Sequence, residues 1–272
     1  MKLVICKQDY SIQWDGVYQL ALTHYPDIKN WELEKIAAFI AYEKYYGRNT
    51  ELFCQNSRII TKINIFLKQS VVEFPFRPLS KIVAGTYDTH GQSVYCDFLS
   101  HTCTITSAIA ILKSQKLLAA TKVFDLSSAD LVKSSRNAAN DPCDYFDYIM
   151  FGWSNTSSGY RLAMERHLGY SPSQTELMEQ FVPGVSFHFN YDTITAAKGY
   201  VFDGYHPAKI KDEFSLNSLF ACIIPKHYQA LFEPVIPNAL KHRCFYLEYD
   251  NDSYVKWSEK VYQHLLSLQE KK

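Results

Sequence analysis

The chain has 272 residues, of which 47% are hydrophobic and 21% charged, and its 28 basic side chains equal its 28 acidic ones in number. This size and composition exclude a disulfide-dependent miniprotein, a collagen-like chain and a disordered protein, and they predict a globular fold throughout. With zero net charge, the chain lacks the global positive field that drives unspecific nucleic-acid binding, although a local patch for a nucleic acid remains open.

The N-terminal section, residues 1–85, is predicted to be mostly helical. Residues 1–6 are typical of a short buried strand, and Asn30 is predicted to cap a helix that continues to Tyr46 and stops at Gly47. The apolar periodicity of residues 57–68 predicts a second helix, although its β-branched residues leave a strand open. Two prolines and two glycines within residues 71–91 mark the predicted boundary of this section.

The remaining residues, 86–272, alternate between short strands and short helices. The predicted strands cover residues 94–99, 145–151, 185–191, 199–202, 219–224 and 244–248. The predicted helices cover residues 106–114, opened by Thr106, a short stretch from Ser127 or Ser128, residues 157–167, closed by Gly169, a segment with a Ser173–Glu176 capping box, and residues 254–268. Because these elements follow no regular βαβ rhythm, the predicted class is α+β, with a largely antiparallel sheet and short helices preceded by the helical section.

Seven cysteines are scattered through the chain without a CxxC pair, which argues against both a disulfide framework and a structural zinc finger. They favour reduced thiols in a cytoplasmic protein. The first apolar run, MKLVIC, ends at Lys7, and no uninterrupted apolar run approaches the roughly 18 residues of a membrane span. We therefore expect neither export by a standard route nor a membrane partner.

No phosphate-binding P-loop, GxGxxG, GxSxG, HExxH or EF-hand pattern occurs in the sequence, so most familiar enzyme classes lack their local signatures. The region that combines reactive side chains with a predicted strand and helix is residues 94–120, VYCDFLSHTCTITSAIAILKSQKLLAA. Here a strand leads to a histidine with hydroxyl and thiol residues, and a helix with an apolar face follows directly.

This region resembles the first motif of the ADP-ribosyltransferases and their relatives, which include RNA 2′-phosphotransferases and DNA-modifying toxin enzymes. In those proteins a strand that ends in H-x-T precedes a helix of the type A-I-x-x-I-L-x-x-G-x-L. His101 matches the family's histidine, Cys103 stands in place of its Thr or Ser, and residues 108–112 match the helix. Gln115 stands where the family usually has glycine.

The resemblance implies a set of roles for later residues, with NAD as substrate and no metal. Tyr148, preferred over Tyr145 and Tyr160, would stack on the nicotinamide, and Glu213 would be the catalytic carboxylate before an apolar strand. His101, with Cys103 beside it, would hold the ribose of NAD. The loop FDGYHPAKIKD would correspond to the family's substrate-selecting turn, in which Tyr205 and His206 are the conspicuous side chains.

The chemistry of NAD cleavage is consistent with this set of side chains. Breaking the nicotinamide–ribose bond passes through an oxocarbenium-like state, which one carboxylate stabilises while it activates the acceptor. An aromatic face holds the planar nicotinamide. Arg161 or Arg166 could clamp the pyrophosphate, since a guanidinium matches phosphate oxygens bidentately, whereas Glu165 has the spacing of a surface ion pair with Arg161.

Each of these residues also has a purely structural interpretation. His101 could cap the helix that follows it, Glu213 could be a solvated residue of the charged run KIKDE, and Tyr148 could belong to the core. Two further functions stay open: an interaction module with exposed aromatic side chains, and a metal-dependent hydrolase. The hydrolase would use the metal-capable side chains His90, Cys96, His101 and Cys103, with Asp88 and Asp97 among them.

The sequence therefore predicts an NAD-dependent ADP-ribosyltransferase, a glycosyltransferase that acts in the cytoplasm on an unidentified acceptor. The acceptor, whether a protein, a nucleic acid or a small molecule, has no recognisable signature in the chain. The N-terminal section could cover the acceptor groove.

Overall fold

The computed structural model describes the chain apart from residues 8–10, 80, 83–85, 88–92, 95, 135–136, 138–139 and 271–272. Helices and strands are interleaved and most strand pairs are antiparallel, which confirms the α+β class. The chain divides into two compact units of three segments each. The first unit comprises Met1–Tyr95, Ala120–Tyr148 and Gly199–Lys211, and the second comprises Cys96–Ala119, Ile149–Lys198 and Asp212–Lys272.

This division differs from the predicted boundary between residues 85 and 86. The first unit continues to Tyr95 and includes two segments from later in the chain. Composition along a sequence marks where a segment ends, but it carries no information on a chain that leaves a core and returns to it.

The first unit contains a four-stranded sheet in the order β2-β3-β1-β4. Strand β1 runs parallel to β3 and β4, and β2 pairs with β3 in the antiparallel sense. The strands of the unit are β1 (Lys2–Cys6), β2 (Ile12–Trp14), β3 (Val17–Ala21), β4 (Glu51–Cys54), β5 (Thr86–Tyr87), β6 (Ser93–Val94), β11 (Tyr200–Val201) and β12 (Ala208–Lys211). Its helices are α1 (Asn30–Tyr45), α2 (Ser57–Gln69), α4 (Ala120–Phe124), α5 (Ser128–Leu131) and a 3-10 helix at Cys143–Asp147.

The core of the first unit lies between this sheet and helices α1 and α2. It is formed by apolar side chains that alternate along β1 and β3 and recur at helical spacing along the two helices: Leu3, Ile5, Tyr18, Leu20, Ile36, Phe39, Ile59 and Ile63. Helix α1 begins at Asn30, so the predicted cap is wrong by one residue: the cap position is Lys29. The Lys29 N–H donates to the Glu32 carboxylate, 2.8 Å away, which satisfies a backbone donor that the start of the helix leaves unpaired.

In the second unit, five strands are neighbours in the order β9-β7-β10-β14-β15. The contacts of β7 with β9 and β10 and of β10 with β14 are antiparallel, and β14 runs parallel to β15. The strands are β7 (Phe98–Cys103), β8 (Lys116–Leu118), β9 (Tyr148–Trp153, which begins at the last residue of a first-unit segment), β10 (Val185–Asn190), β13 (Glu213–Ser215), β14 (Ala221–Pro225) and β15 (Cys244–Leu247). The helices are α3 (Ile105–Ser114), α6 (Ser158–Leu168), α7 (Gln174–Glu179), α8 (Tyr191–Thr195), α9 (Gln229–Phe232) and α10 (Tyr254–Gln269), with 3-10 helices at Leu216–Ser218, Lys226–Tyr228 and Asn238–Arg243.

The predicted helices of this unit are confirmed to within one or two residues, including the Ser173–Glu176 capping box and the left-handed Gly169 that ends α6. Two predicted strands differ in position from the observed ones. Residues 94–99 were predicted as one strand, but the strand is β7, at Phe98–Cys103. The predicted strand over residues 145–151 is a 3-10 helix up to Asp147, and β9 follows it.

Among the described residues, no helix is both long and apolar enough to cross a membrane.

Candidate functional site

His101 lies inside β7, four residues before helix α3 begins. Its Nδ1 donates to the Met150 carbonyl oxygen at 3.2 Å, because that oxygen can only accept. Burial lowers the pKa of the imidazole, and the bond to Met150 opposes this shift. At neutral pH the ring is therefore neutral, with its Nδ1–H committed to the backbone.

The cap of α3 is Thr104 and not the predicted Thr106. Its hydroxyl accepts from the Ser107 N–H at 3.3 Å. His101 therefore does not cap helix α3, as the structural interpretation suggested, because Thr104 already provides the side-chain cap. His101 is thus left for a role within the sheet.

Cys103 is the last residue of β7 and is partly buried. Burial raises the pKa of its thiol to about 12, so the thiol stays protonated at neutral pH. A Cβ atom added at Gly184 would lie 2.4 Å from the Cys103 carbonyl oxygen, so the backbone at Gly184 packs directly against Cys103. Cys103 is therefore suited to packing and weak hydrogen bonding rather than to nucleophilic attack.

Glu213 begins β13, which pairs with β8 after helix α3. Its side chain is 55% exposed, and its carboxylate forms an ion pair with Lys116 Nζ at 2.8 Å. The next residue, Phe214, packs with its ring centroid 6.1 Å from that of Phe151. Because successive side chains of a strand point to opposite sides, Glu213 points away from this aromatic contact.

His101 and β13 approach the same side chain in the sheet. The His101 ring centroid is 6.4 Å from that of Phe151, and Phe214 contacts Phe151 from β13. The structure therefore brings His101 and the strand of Glu213 into one neighbourhood of the second unit.

Arg161 lies on the exposed surface of α6. This helix packs on the side of β7 that carries Thr102, since a Cβ atom at Gly159 would lie 2.8 Å from the Thr102 hydroxyl oxygen. His101 points to the other side of the strand. The structure thus separates Arg161 from His101 by the sheet.

Tyr148, Tyr205 and His206 belong to the first unit. Tyr148 is 7% exposed, and its hydroxyl shares a hydrogen bond of 2.7 Å with that of Tyr46. Burial is the main cause of its raised pKa. This environment corresponds to the core interpretation of Tyr148, and its stacking on nicotinamide stays a prediction.

The turn that carries Tyr205 and His206 is held by one carboxylate, Asp203. One Asp203 oxygen accepts the backbone N–H groups of Tyr205 and His206 at 2.9 and 2.7 Å. The other accepts His206 Nδ1 at 2.9 Å and Lys209 Nζ at 2.6 Å. Burial opposes ionisation of Asp203, but the adjacent Lys209 and His206 outweigh it and hold the pKa of the carboxyl well below its usual range.

Lys209 is completely buried. Besides its ion pair with Asp203, its ammonium donates to the Tyr42 hydroxyl at 3.3 Å and lies 3.1 Å from the centre of the Tyr145 ring. A buried ammonium is tolerated only with such partners. Sequence reasoning missed this residue, because a lysine between Ala208 and Ile210 has the pattern of an ordinary half-exposed strand.

A second set of charges adjoins the Tyr42 hydroxyl, which donates to Asp144 at 2.6 Å. Arg48 donates a hydrogen bond to Asp144 and two more, of 2.7 and 2.8 Å, to the buried Glu43. We call the six residues Tyr42, Glu43, Arg48, Asp144, Asp203 and Lys209 the buried polar cluster. Each carboxylate oxygen of the cluster accepts at least one hydrogen bond, so the cluster can fix the turn and helix α1.

The second unit contains a buried polar network of its own, centred on His188. The two ring nitrogens contact the hydroxyls of Ser154 at 2.9 Å and Ser186 at 2.8 Å, and Ser186 in turn shares a bond of 2.8 Å with the Tyr160 hydroxyl. Burial lowers the pKa of His188 to about 3, so the ring is neutral in the folded protein. The network links the turn that follows β9 with β10 and α6.

We expect the free energy of unfolding to decrease as the pH falls from about 6.5 towards 3. In this range His188 is protonated in the unfolded chain but stays neutral in the folded protein, where its pKa is about 3. The expected slope from this one group is about 1.4 kcal/mol per pH unit. Urea unfolding of wild type and His188→Asn at several pH values measures it, and the slope should be smaller in the variant. The exposed His167, changed to Gln, is the control and should keep the wild-type slope. Equal slopes for His188→Asn and wild type would contradict the expectation.

The metal hypothesis rests partly on His90 and Asp88, which lie outside the described residues. Of its other ligands, Cys96 is buried and its thiol donates to the Phe98 carbonyl oxygen at 3.2 Å. Within the described part of the chain, no group of three or more His, Cys, Asp or Glu side chains is arranged to hold a metal ion.

Comparisons of the chain with protein-family models, with curated proteins and with solved structures found no match.

Proposed function

We propose that the chain is an NAD-dependent ADP-ribosyltransferase whose reaction is carried by His101 and Glu213 of the second unit. The observation that supports this most is that His101 and the strand of Glu213 lie in one part of the second unit, since the His101 ring and Phe214 of β13 both approach Phe151. The Glu213 carboxylate itself points away from Phe151 and is paired with Lys116. A strand histidine followed at once by a capped helix, and a glutamate that opens a later strand, occur here in the order that the sequence resemblance requires.

In this proposal His101 contributes a hydrogen bond through Nε2. Its Nδ1–H is held by the Met150 carbonyl, which fixes the neutral tautomer in which Nε2 carries a lone pair and accepts. Nε2 would therefore accept from a ribose hydroxyl of NAD. Lowering of the His101 pKa by burial keeps this acceptor available at neutral pH.

Glu213 supplies the negative charge. The nicotinamide–ribose bond breaks and nicotinamide leaves with the bonding electrons, so positive charge develops on the ribose ring. A carboxylate beside that charge lowers the barrier. The acceptor's oxygen or nitrogen then bonds to the same carbon, and its proton passes to the carboxylate. In the structure, Lys116 forms an ion pair with this carboxylate.

The roles of Cys103, Tyr148, Tyr205 and His206 are not needed for this minimal proposal and stay predictions. Arg161 has no part in it, because the sheet lies between Arg161 and His101. The acceptor is an unidentified protein or nucleic acid. All seven cysteines are free, which suits a reducing compartment and supports a cytoplasmic location.

The test is NAD binding and nicotinamide release by the purified chain. We expect NAD to raise the melting temperature by linkage. Glu213→Gln should keep that shift but lose about 10²–10³-fold in nicotinamide release, since the charge acts in the transition state. His101→Ala should weaken NAD binding by about tenfold, the value of one hydrogen bond near 1.4 kcal/mol.

The matched control is Glu259→Gln on the exposed face of α10, which should leave binding and release unchanged. Because Glu213 is exposed, its replacement should not unfold the protein. A well-folded wild-type chain that neither gains stability from NAD nor releases nicotinamide would overturn the proposal.

A further inference from the structure

Two cysteines of the second unit lie side by side on neighbouring strands. Cys222 of β14 is the register partner of Cys244 of β15, and these two strands are parallel. Neighbouring strands are about 4.8 Å apart, and register partners point to the same side of the sheet. That separation falls within the range of roughly 4.4–6.8 Å between the Cα atoms of a disulfide.

The two thiols differ in burial and in the direction of their pKa shifts. Cys222 is fully buried, and burial is the main reason that its pKa is raised well above the ordinary value. Cys244 is only partly buried, and the hydrogen bond from the Cys222 thiol lowers its pKa. The accessible sulfur is therefore the better nucleophile, and the buried one is held next to it.

We propose that Cys222 and Cys244 form an oxidisable dithiol that closes to an intramolecular disulfide when the protein meets a peroxide. The Cys244 thiolate attacks hydrogen peroxide, breaks its O–O bond, becomes a sulfenic acid and releases hydroxide. The Cys222 sulfur then attacks the Cys244 sulfur, the S–O bond breaks, and the oxygen leaves as water with the thiol proton. Two thiols are thus oxidised by one peroxide, which is reduced to two waters.

The other cysteines provide internal controls. Cys143 is the exposed thiol and reports general reactivity without a register partner. Cys6 and Cys54 lie on the paired parallel strands β1 and β4, but Cys54 is the partner of Ile5, so Cys6 points to the other side of the sheet. Because of this register, we expect that Cys6 and Cys54 do not become linked.

The experiment treats the folded full-length chain with hydrogen peroxide, blocks the remaining thiols, and maps linked peptides by mass spectrometry. We expect a peptide that joins Cys222 to Cys244, which disappears on reduction. Cys222→Ser should instead accumulate a sulfenic acid at Cys244, trapped by dimedone. Cys244→Ser should leave Cys222 reduced under the same conditions. Melting temperatures of both variants verify that they are folded, and the wild-type map does not depend on them.

Oxidation of Cys143 while Cys222 and Cys244 remain reduced would overturn the proposal. So would linkage of either cysteine to another partner, or linkage of Cys6 to Cys54 to the same extent as Cys222 to Cys244.

Discussion

Replacing Lys209 by methionine is expected to lower the free energy of unfolding by about 3–5 kcal/mol, the usual cost of removing one partner from a buried ion pair. The ammonium lies 2.6 Å from an Asp203 oxygen, and both side chains are fully buried. Methionine has a similar length and fills the space, but it leaves the Asp203 charge without its strongest partner. The loss therefore measures the uncompensated carboxylate and not a cavity.

Lys211→Met is the matched control, since Lys211 lies two residues further along β12 and is exposed. Its effect should stay within about 0.5 kcal/mol, as is usual for a surface position. Urea unfolding of both variants gives the comparison. Adding Asp203→Asn to Lys209→Met should cost less than the sum of the two single changes, because the double variant has no buried unpaired charge. Additive losses would show that the two groups do not depend on each other.

The parts of the fold that were predictable from sequence are those with local signals. Helices α2, α6, α7 and α10 carry apolar periodicity with a capping residue or a terminal glycine, and their bounds follow closely from these residues. Strand β10 was predictable because its segment alternates. The strands at Ile12–Trp14, Lys116–Leu118 and Glu213–Ser215 are only three residues long, too short for a period to emerge.

The candidate site also has a part that local sequence signals predict and a part that they do not. The order of a strand, His101 and a helix is local and could be predicted, but the strand lies at Phe98–Cys103 rather than at residues 94–99, so His101 lies inside it, and Thr104 rather than Thr106 caps the helix. The buried polar cluster could not, because Tyr42 and Asp144 are separated by 102 positions in the chain. Lys209 has apolar neighbours on both sides, Ala208 and Ile210, a pattern in which alternation predicts an exposed lysine. The strand is instead buried on both faces, and the partners that permit this come from distant segments.

Gly204 lies in the turn that Asp203 of the buried polar cluster holds, and its backbone approaches helix α1 closely. Its φ is +79°, a left-handed conformation that side chains other than glycine adopt at a cost of about 1–2 kcal/mol. A Cβ atom here would also lie 2.1 Å from the Lys35 carbonyl oxygen and 2.7 Å from the Phe39 nitrogen. These are backbone atoms of α1, which cannot swing aside. The Gly204 carbonyl oxygen in turn accepts from the Tyr18 hydroxyl at 3.0 Å, so the turn is tied to β3 as well.

We therefore expect Gly204→Ala to destabilise the protein by more than about 3 kcal/mol, since overpacking adds to the backbone penalty. Gly47→Ala separates the two causes, because Gly47 also has a positive φ, +73°, but nothing lies within 4 Å of its added Cβ. That control should cost only about 1–2 kcal/mol. Urea unfolding of the two variants gives the difference, which is the energy of the close approach alone. If both lose the same amount, the contact of the turn with α1 is not as tight as the structure has it, and Asp203 owes its position to the ion pair rather than to packing of the backbone.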